Sequence, residues 1–247
     1  MSEQHRRQNK RTGTHRVKVP AEVVPLLEQI GRLAQAQGVR AYAVGGCVRD
    51  WALGIPTARD LDLAVEGDGI AFANQVAGAL GGSVTAHQQF GTATLQLRRL
   101  RIDMATCRKE TYAKPAAYPK VTAGRLRDDL FRRDFTVNAM AMAIAPSEFG
   151  RLVDPFKGMA DLKAKRLRIL HAKSFVDDPS RILRAVRFAQ RYRLAVEPRT
   201  RRALRQALAA GMLQRLNRGR WRKEFERMTQ EPHPLACLSL LAQWVRG

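Results

Sequence analysis

Asp60 and Asp62 stand one residue apart in Asp60-Leu-Asp-Leu-Ala-Val65, an alternating run that reads as a strand. A period of two sends both carboxylates to one face while Leu61 and Leu63 go to the other. Two acids side by side repel unless a cation lies between them. Hard oxygen ligands at this spacing suit Mg²⁺, which is held by one or two carboxylates together with substrate phosphates. Asp103, between Ile102 and Met104 in what reads as a neighbouring strand, is placed to supply a third carboxylate. An isolated acid pair is more often a polar strand edge facing solvent, so its meaning rests on what surrounds it.

The stretch before it is Gly45-Gly46-Cys47-Val48-Arg49-Asp50, between an apolar run and a helical one. Two glycines at such a turn let the backbone approach a ligand closely, and the N–H groups at the helix start favour phosphate. Arg49, one turn in, adds a charge-assisted bond to a phosphate chain. A phosphate cradle followed ten residues later by an acid pair is the combination that two-metal nucleotidyl transfer requires. Further along, Arg132-Arg133-Asp134-Phe-Thr-Val-Asn138-Ala-Met140 sets Asp134 and Asn138 at i and i+4, in reach of a sugar or phosphate if the segment is helical, with Phe135 and Met140 facing the core. The competing reading is a helix cap at Asp134. Finally Asp177-Asp178-Pro-Ser-Arg181 runs into a helix whose Ile182, Val186 and Ala189 form one stripe, with Arg184, Arg187 and Arg191 on roughly the other side. Arginines with no acids between them repel one another, which points to an absent anion such as a triphosphate or an RNA backbone.

These groups need a scaffold, and the periodicity supplies one. A helix is expected over residues 21–37, stopped by Gly38, then a strand over 41–44, a helix over 48–53, a strand over 61–65 and a helix over 71–80. Strands over 93–97 and 100–105 are joined by the basic turn Arg98-Arg99. After Pro146 strand signals fade and the chain becomes basic and helical. Of the 44 Lys and Arg against 22 Asp and Glu in the 247 residues, a net charge of +22, twenty basic and five acidic side chains fall between Lys163 and Arg227. Such a field attracts polyanions, nucleic acid first. Three scattered cysteines with no C-x-x-C pair exclude a disulfide framework or zinc ribbon and fit a reducing cytoplasm. No apolar run approaches the ~20 residues that span a bilayer, and the polar first 20 residues hold no signal-peptide core.

Taken in order, these elements resemble the class II tRNA nucleotidyltransferase and bacterial poly(A) polymerase family, a branch of the polymerase β-like nucleotidyltransferases. The resemblance covers about residues 41–193 and rests on Gly45-Gly46-x-Val48-Arg49-Asp50 with Asp60-x-Asp62, Arg132-Arg133-Asp134-Phe135-Thr136-x-Asn138-Ala139, Asp154-Pro-Phe-Lys-Gly158, and Asp177-Asp178-x-x-Arg181 with Arg184-Ala-Val-Arg187-Phe188. It implies an α+β fold: a basic disordered arm (1–20), a polymerase β-like nucleotidyltransferase head of mixed sheet and flanking helices (21–145), an all-helical neck that binds base and RNA (146–215), and the start of a truncated or minimal body (216–247). By the same resemblance Asp60 and Asp62 hold catalytic Mg²⁺ with Asp103 beside them. Gly45, Gly46 and Arg49 engage the triphosphate. Arg132, Arg133, Asp134 and Asn138 contact its phosphates and sugar. Asp178 and Arg181 read the base of ATP or CTP, and Arg184 and Arg187 also bind the nucleotide. Asp177 stands where the family has Glu. The implied reaction adds C and/or A to the tRNA 3′ end, the partners being ATP, CTP and the tRNA acceptor stem, with neither a membrane nor a protein partner indicated.

Two departures bear on subtype. Residues 108–124 correspond to the family's flexible loop but lack the D-x-R-R-P run common in full CCA-adding members, so CCA, CC-only and A-only addition all stay open. The helical body and tail that usually follow are represented here only up to Gly247. The alternatives are a poly(A) polymerase of the same fold, an RNA-binding module with a dead site, or a small-molecule nucleotidyltransferase. Carboxylates beside a phosphate cradle disfavour the second, since they repel RNA. The large positive charge disfavours the third.

Overall fold

The structure is a computed structural model that describes residues 15–58, 60–97 and 100–246. In chain order its elements are α1 (Val24–Ala36), β1 (Arg40–Val44), α2 (Gly46–Ala52), β2 (Asp60–Glu66), α3 (Gly69–Leu80), β3 (Ser83–His87), β4 (Thr92–Leu97), β5 (Leu100–Thr106), β6 (Arg108–Thr111), β7 (Lys120–Ala123), α4 (Leu126–Phe131), β8 (Ala141–Ala143), β9 (Leu152–Val153), α5 (Gly158–Lys163), β10 (Arg166–Leu167), α6 (Ser174–Asp177), α7 (Ser180–Arg191), β11 (Ala195–Val196), α8 (Pro198–Ala209), α9 (Arg218–Thr229) and α10 (Pro234–Arg246). Seven strands form one mixed sheet in the order β3-β4-β5-β2-β1-β8-β9, in which β2 and β5 run parallel and the other neighbours antiparallel.

The alternation in β2 and β5 decides what each face does. Leu61, Leu63 and Val65, with Ile102 and Met104, enter the main core together with Leu27 and Ile30 of α1 and Phe72 and Val76 of α3. On the other face Val44, Ala64 and Ala141 meet Leu126 and Leu130 of α4 in a second, smaller core. That helix covers only part of the face, and the part bearing Asp62 and Asp103 stays open. The main core continues without a break into the helical segment, taking in Ile182, Leu183, Val186, Leu204 and Met228.

Several local expectations are revised. Of the arm expected to be disordered over 1–20, residues 1–14 lie outside the described residues, but 15–20 are ordered. Val17 is buried, its N–H donates to Gly150 O at 2.9 Å, and Leu152 N donates to His15 O at 2.9 Å, so this stretch extends the sheet edge beside β9. The Arg98-Arg99 turn also falls outside the described residues. The sheet gains β3, which is mostly exposed, and β8, a three-residue strand buried on both sides. The helix read over 134–140 is a single 3₁₀ turn, Thr136–Asn138, leading into β8. Its backbone is satisfied from outside: Thr136 N donates to Arg168 O at 2.9 Å and Phe135 bridges Ile169. The segment after Pro146 is chiefly helical but also carries β9, which joins the sheet, and the short parallel pair β10 and β11.

Candidate active site

A single cleft of about 1070 Å³ gathers the chemistry-bearing side chains. Its lining contains Gly45, Gly46, Arg49, Asp62, Asp103, Arg132, Arg133, Asp134, Asn138, Asp178, Arg181, Arg184 and Arg187, that is, every residue given a catalytic or nucleotide-binding role above except Asp60. Asp60 opens β2 on the same exposed face, just outside this wall.

The floor is carboxylate. In the parallel pairing of β2 with β5, Asp62 is the register partner of Asp103. Partial desolvation at the cleft floor raises the Asp62 pKa above the usual aspartate value; Arg133 opposes this rise, and the Asp103 and Asp60 charges add to it. Asp103 is steadied by Thr94 Oγ1, which donates to Oδ1 at 2.6 Å, and by Arg101 at 2.9 Å from Oδ2. Among the described residues no three ligand-type side chains are gathered into a closed cage. An ion held by one or two carboxylates and completed by substrate phosphates needs none. The donor chemistry, hard oxygens that repel one another, fits such a cation.

Above the floor is the glycine turn. Gly45 has φ +73°, and a Cβ there would meet Arg133 Nη1 at 2.5 Å. The glycine is therefore required by its conformation and by the guanidinium lying against it. Gly46 begins α2 and is under no such constraint, since its nearest side-chain atom is at 3.7 Å. Arg133 is anchored by Asp129, whose Oδ2 accepts from Nη2 at 3.0 Å, while Asp129 Oδ1 accepts from Arg132 Nε at 2.8 Å. Burial alone would raise the Asp129 pKa, but the two guanidiniums hold it below the usual carboxylate range. Asp129 was not singled out from sequence, although its i+3 and i+4 spacing to two arginines is a usable signal.

Behind these groups runs a buried polar chain. Arg49 donates to Asn138 Oδ1 and to the Tyr192 hydroxyl, which in turn donates to Asp50 Oδ1 at 3.1 Å. Asn138 Nδ2 donates to Asp134 Oδ1 at 2.9 Å, and Arg184 Nε to Asp134 Oδ2 at 2.7 Å. Arg184 also faces Glu224 at 3.6 Å; Arg187 bonds Glu224 and Glu231, each at 2.9 Å, and Arg191 bonds Glu231 at 2.6 Å. The expectation that the α7 arginines lack acidic partners is thus corrected. Their acids are Asp134, Glu224 of α9 and Glu231 in the turn before α10, some 37 to 50 residues away in sequence, where no local spacing reveals them. Asp134 and Asn138 keep their i, i+4 contact without a helix, and both are buried hubs rather than open ligands. The Asp154-to-Gly158 motif supports them from behind. Asp154 caps α5 by accepting from Gly158 N at 2.7 Å and Met159 N at 2.9 Å, and a Cβ on Gly158 would lie 2.2 Å from Thr136 O.

At the far wall, Arg181 Nη2 donates to Arg132 O at 2.7 Å, while its buried Nη1 has no hydrogen-bond partner among the described residues. Asp178 accepts from Ser180 Oγ at 2.6 Å and lies 3.5 Å from Arg220 Nη1. Arg220 stacks on Tyr118, which is 72% exposed at the tip of the β6–β7 hairpin, with 4.5 Å from guanidinium carbon to ring centre. The cleft thus holds a buried guanidinium nitrogen without a partner among the described residues, in a lining that also includes the Asp178 carboxylate.

Residues 41–168 match the family described as the Poly A polymerase head domain. The chain is 44% identical over 206 residues to the A-adding tRNA nucleotidyltransferase of Aquifex aeolicus, covering 83% of this chain and 25% of that one. It is 37% identical over 206 residues to the CC-adding tRNA nucleotidyltransferase of Deinococcus radiodurans, covering 83% and 54%. A solved CCA-adding enzyme in its apo form superposes with a TM-score of 0.87 at 42% identity, covering 92% of this chain and 53% of that one. The chain thus spans between a quarter and about half the length of these proteins.

Proposed function

Because the chain belongs to the Poly A polymerase head-domain family, alongside relatives named tRNA nucleotidyltransferases, we propose that it transfers C or A nucleotides, or both, from CTP and ATP to the 3′ end of tRNA. The observation that carries this reading is the convergence in one cleft of Asp62 and Asp103 as register partners, Arg133 pressed against the Gly45 turn, and Arg181 beside Asp178. In this reading the incoming triphosphate lies along Gly45, Gly46 and Arg133, with Arg132 adding charge. The base reaches Asp178 and Arg181, a carboxylate to accept from the exocyclic amino group that C and A share, and a guanidinium nitrogen in need of an acceptor. Asp134, Asn138, Arg184 and Arg187 act at one remove, fixing Arg49 and the cleft walls.

Asp60 and Asp62, with Asp103 beside them, are the residues that would hold Mg²⁺, one or two carboxylates at a time with the substrate phosphates; when bound it neutralises phosphate charge and lowers the pKa of a hydroxyl. The chemistry is attack of the RNA 3′-hydroxyl on the α-phosphate with pyrophosphate leaving; the chain's own part is to orient the phosphates by arginine and backbone N–H groups and to hold the base in place. No helix among the described residues is long and apolar enough to cross a membrane, and we place the activity in the cytoplasm with its RNA.

The test is incubation with tRNA transcripts ending before CCA, after C and after CC, with Mg²⁺ and each nucleotide singly and together, followed by sequencing of the 3′ ends. Defined C, CC, A or CCA additions that fall by roughly 10²–10³-fold or more in Asp62→Asn are expected. Long A tails would transfer the assignment to a poly(A) polymerase. Undiminished turnover in the variant would remove the carboxylate floor from the reaction.

A further inference from the structure

The cleft makes no use of the arginines on α8. In Pro198–Ala209, Thr200, Leu204 and Ala207 are buried, and Arg199, Arg201, Arg202 and Arg205 are exposed on the opposite side. At 100° per residue the four share one outward arc. The helix contains no acid, and Glu197, which caps it, has its carboxylate engaged by Thr200 N at 2.9 Å and Thr200 Oγ1 at 3.2 Å. Among the described residues no ion pair holds any of the four arginines; Arg201 donates to the carbonyl of Val196. None of them lines the cleft.

The adjoining strand pair extends the charge. Ala195 N donates to Lys165 O at 2.8 Å where β11 meets β10, and Lys163, Lys165, Arg166 and Arg193 are all exposed around that pairing. Lys165 and Arg193 adopt φ of +49° and +51°. A Cβ carries a steric cost there, and glycine or asparagine is the usual occupant. Two cations kept at strained turns break a local rule in favour of charge, as functional positions do. The outward side of α8 otherwise offers Gln206 and Ala209, with no large apolar side chain to enter a bilayer. A bare cationic arc of this kind complements a row of phosphates.

We propose that the outer face of α8, continued by the Lys165 and Arg193 turns, is a docking surface for the phosphate backbone of the duplex part of the RNA whose 3′ end enters the cleft. This rests on the RNA-directed reading above and adds a second, chemically inert contact outside the cleft. Phosphate contacts fix register without reading sequence. The face therefore holds the stem while the 3′ end is extended.

The test uses the full chain and a labelled RNA hairpin with a single-stranded 3′ end, with binding followed by fluorescence anisotropy across a salt series. Arg199→Gln/Arg202→Gln/Arg205→Gln should weaken binding at least about tenfold at low salt and flatten the slope of log K against log salt by about 2–3, at roughly 0.9 per lost phosphate contact. The corresponding triple Arg→Lys variant should restore both. In Lys165→Gly/Arg193→Gly, Tm should rise as the backbone relaxes while hairpin affinity falls, a combination that a merely structural role does not give. Unchanged affinity and slope in the Gln variant would overturn the proposal, as would a loss confined to binding of anionic lipid vesicles. If the wild type binds the hairpin with the expected slope but adds no nucleotide, the transfer reading fails and the surface stands. If it adds nucleotides and the Gln variant binds as well as the wild type, the surface fails and the reading stands.

Discussion

Helices α7 and α8 are each 12 residues long and each carries four arginines, yet they hold their charge in opposite ways. In α7, Arg184, Arg187 and Arg191 are tied to Asp134, Glu224 and Glu231, and Arg181 to a backbone carbonyl. In α8 all four are exposed, and among the described residues none is in an ion pair. Composition and helical spacing are nearly the same in the two. What differs is which other elements pack on them: α7 is enclosed by the turn bearing Asp134, by α9 with Glu224 and by the turn before α10 with Glu231, whereas α8 turns Thr200, Leu204 and Ala207 inward and, among the described residues, its arginines meet no such acids. The α7 arginines therefore stiffen the cleft, and the α8 arginines remain available to a polyanion.

The contrast is tested most severely at Glu231, whose side chain is 2% exposed and bonded to both Arg187 and Arg191. Removing its charge leaves two guanidiniums around an uncompensated site. Glu231→Gln should destabilise the fold by about 3–5 kcal/mol in chemical denaturation, and a loss below about 1 kcal/mol would show that α7 is as solvated as α8.

The cleft floor applies the logic of α8 with the opposite sign, because its acids lack full compensation. The Asp62 pKa is raised in the folded state, so the fold binds that proton more tightly than the unfolded chain does. Stability is therefore lost as pH rises from about 3.9 through the raised folded value, and the ionised group opposes folding at neutral pH. Because Asp62 is solvent-exposed and its charge is screened, Asp62→Asn should raise stability at pH 7 only modestly while transfer falls steeply. Asp134 runs the other way. Burial there would raise its pKa, but Arg184 and Asn138 hold it below the usual range. Its contribution is complete above about pH 3.9 and fades as pH falls through the depressed value. A urea midpoint that rises in Asp62→Asn at pH 7 but converges on the wild type at acid pH is the expected pattern; a lower midpoint at pH 7 would contradict it.

A smaller effect is expected at Tyr192, which joins the end of α7 to α2 through one hydroxyl shared by Arg49 and Asp50. Tyr192→Phe keeps the ring under Arg49 and deletes that bridge, and should cost about 0.5–1.5 kcal/mol. With Arg49 less constrained, the KM for nucleotide should move more than kcat. Equal changes in both would assign Tyr192 to folding alone.

These cases mark how far the sequence was legible. Period-2 alternation around Asp60 and Asp62 was enough to assign β2 and its faces, because strand geometry is local, whereas its parallel pairing with the strand of Asp103 is a contact between segments about 40 residues apart. The glycine turn was readable at Gly45, whose positive φ demands it, while at Gly46 the protein itself leaves room for a side chain. The 134–140 segment misled because helical spacing and a 3₁₀ turn both bring residues i and i+4 together, and only long-range bonds to Arg168 and Ile169 decide between them. The α7 arginines misled for the same reason: Glu224 and Glu231 arrive through tertiary packing, which no window of local sequence contains.

The smallest expected effect closes the comparison from the other side. If the α8 arginines are solvated and mutually repulsive, neutralising Arg199, Arg202 and Arg205 to Gln breaks no ion pair seen among the described residues and relieves i, i+3 repulsion. Stability should then change by no more than about 0.5 kcal/mol, upward if at all, and any gain should vanish as salt screens the wild-type charges. The same three substitutions are those expected to flatten the salt dependence of RNA binding. A drop in Tm at low salt that fades as salt is raised would mean that α8 has acidic partners of its own, and the two helices would then differ in exposure rather than in the use they make of charge.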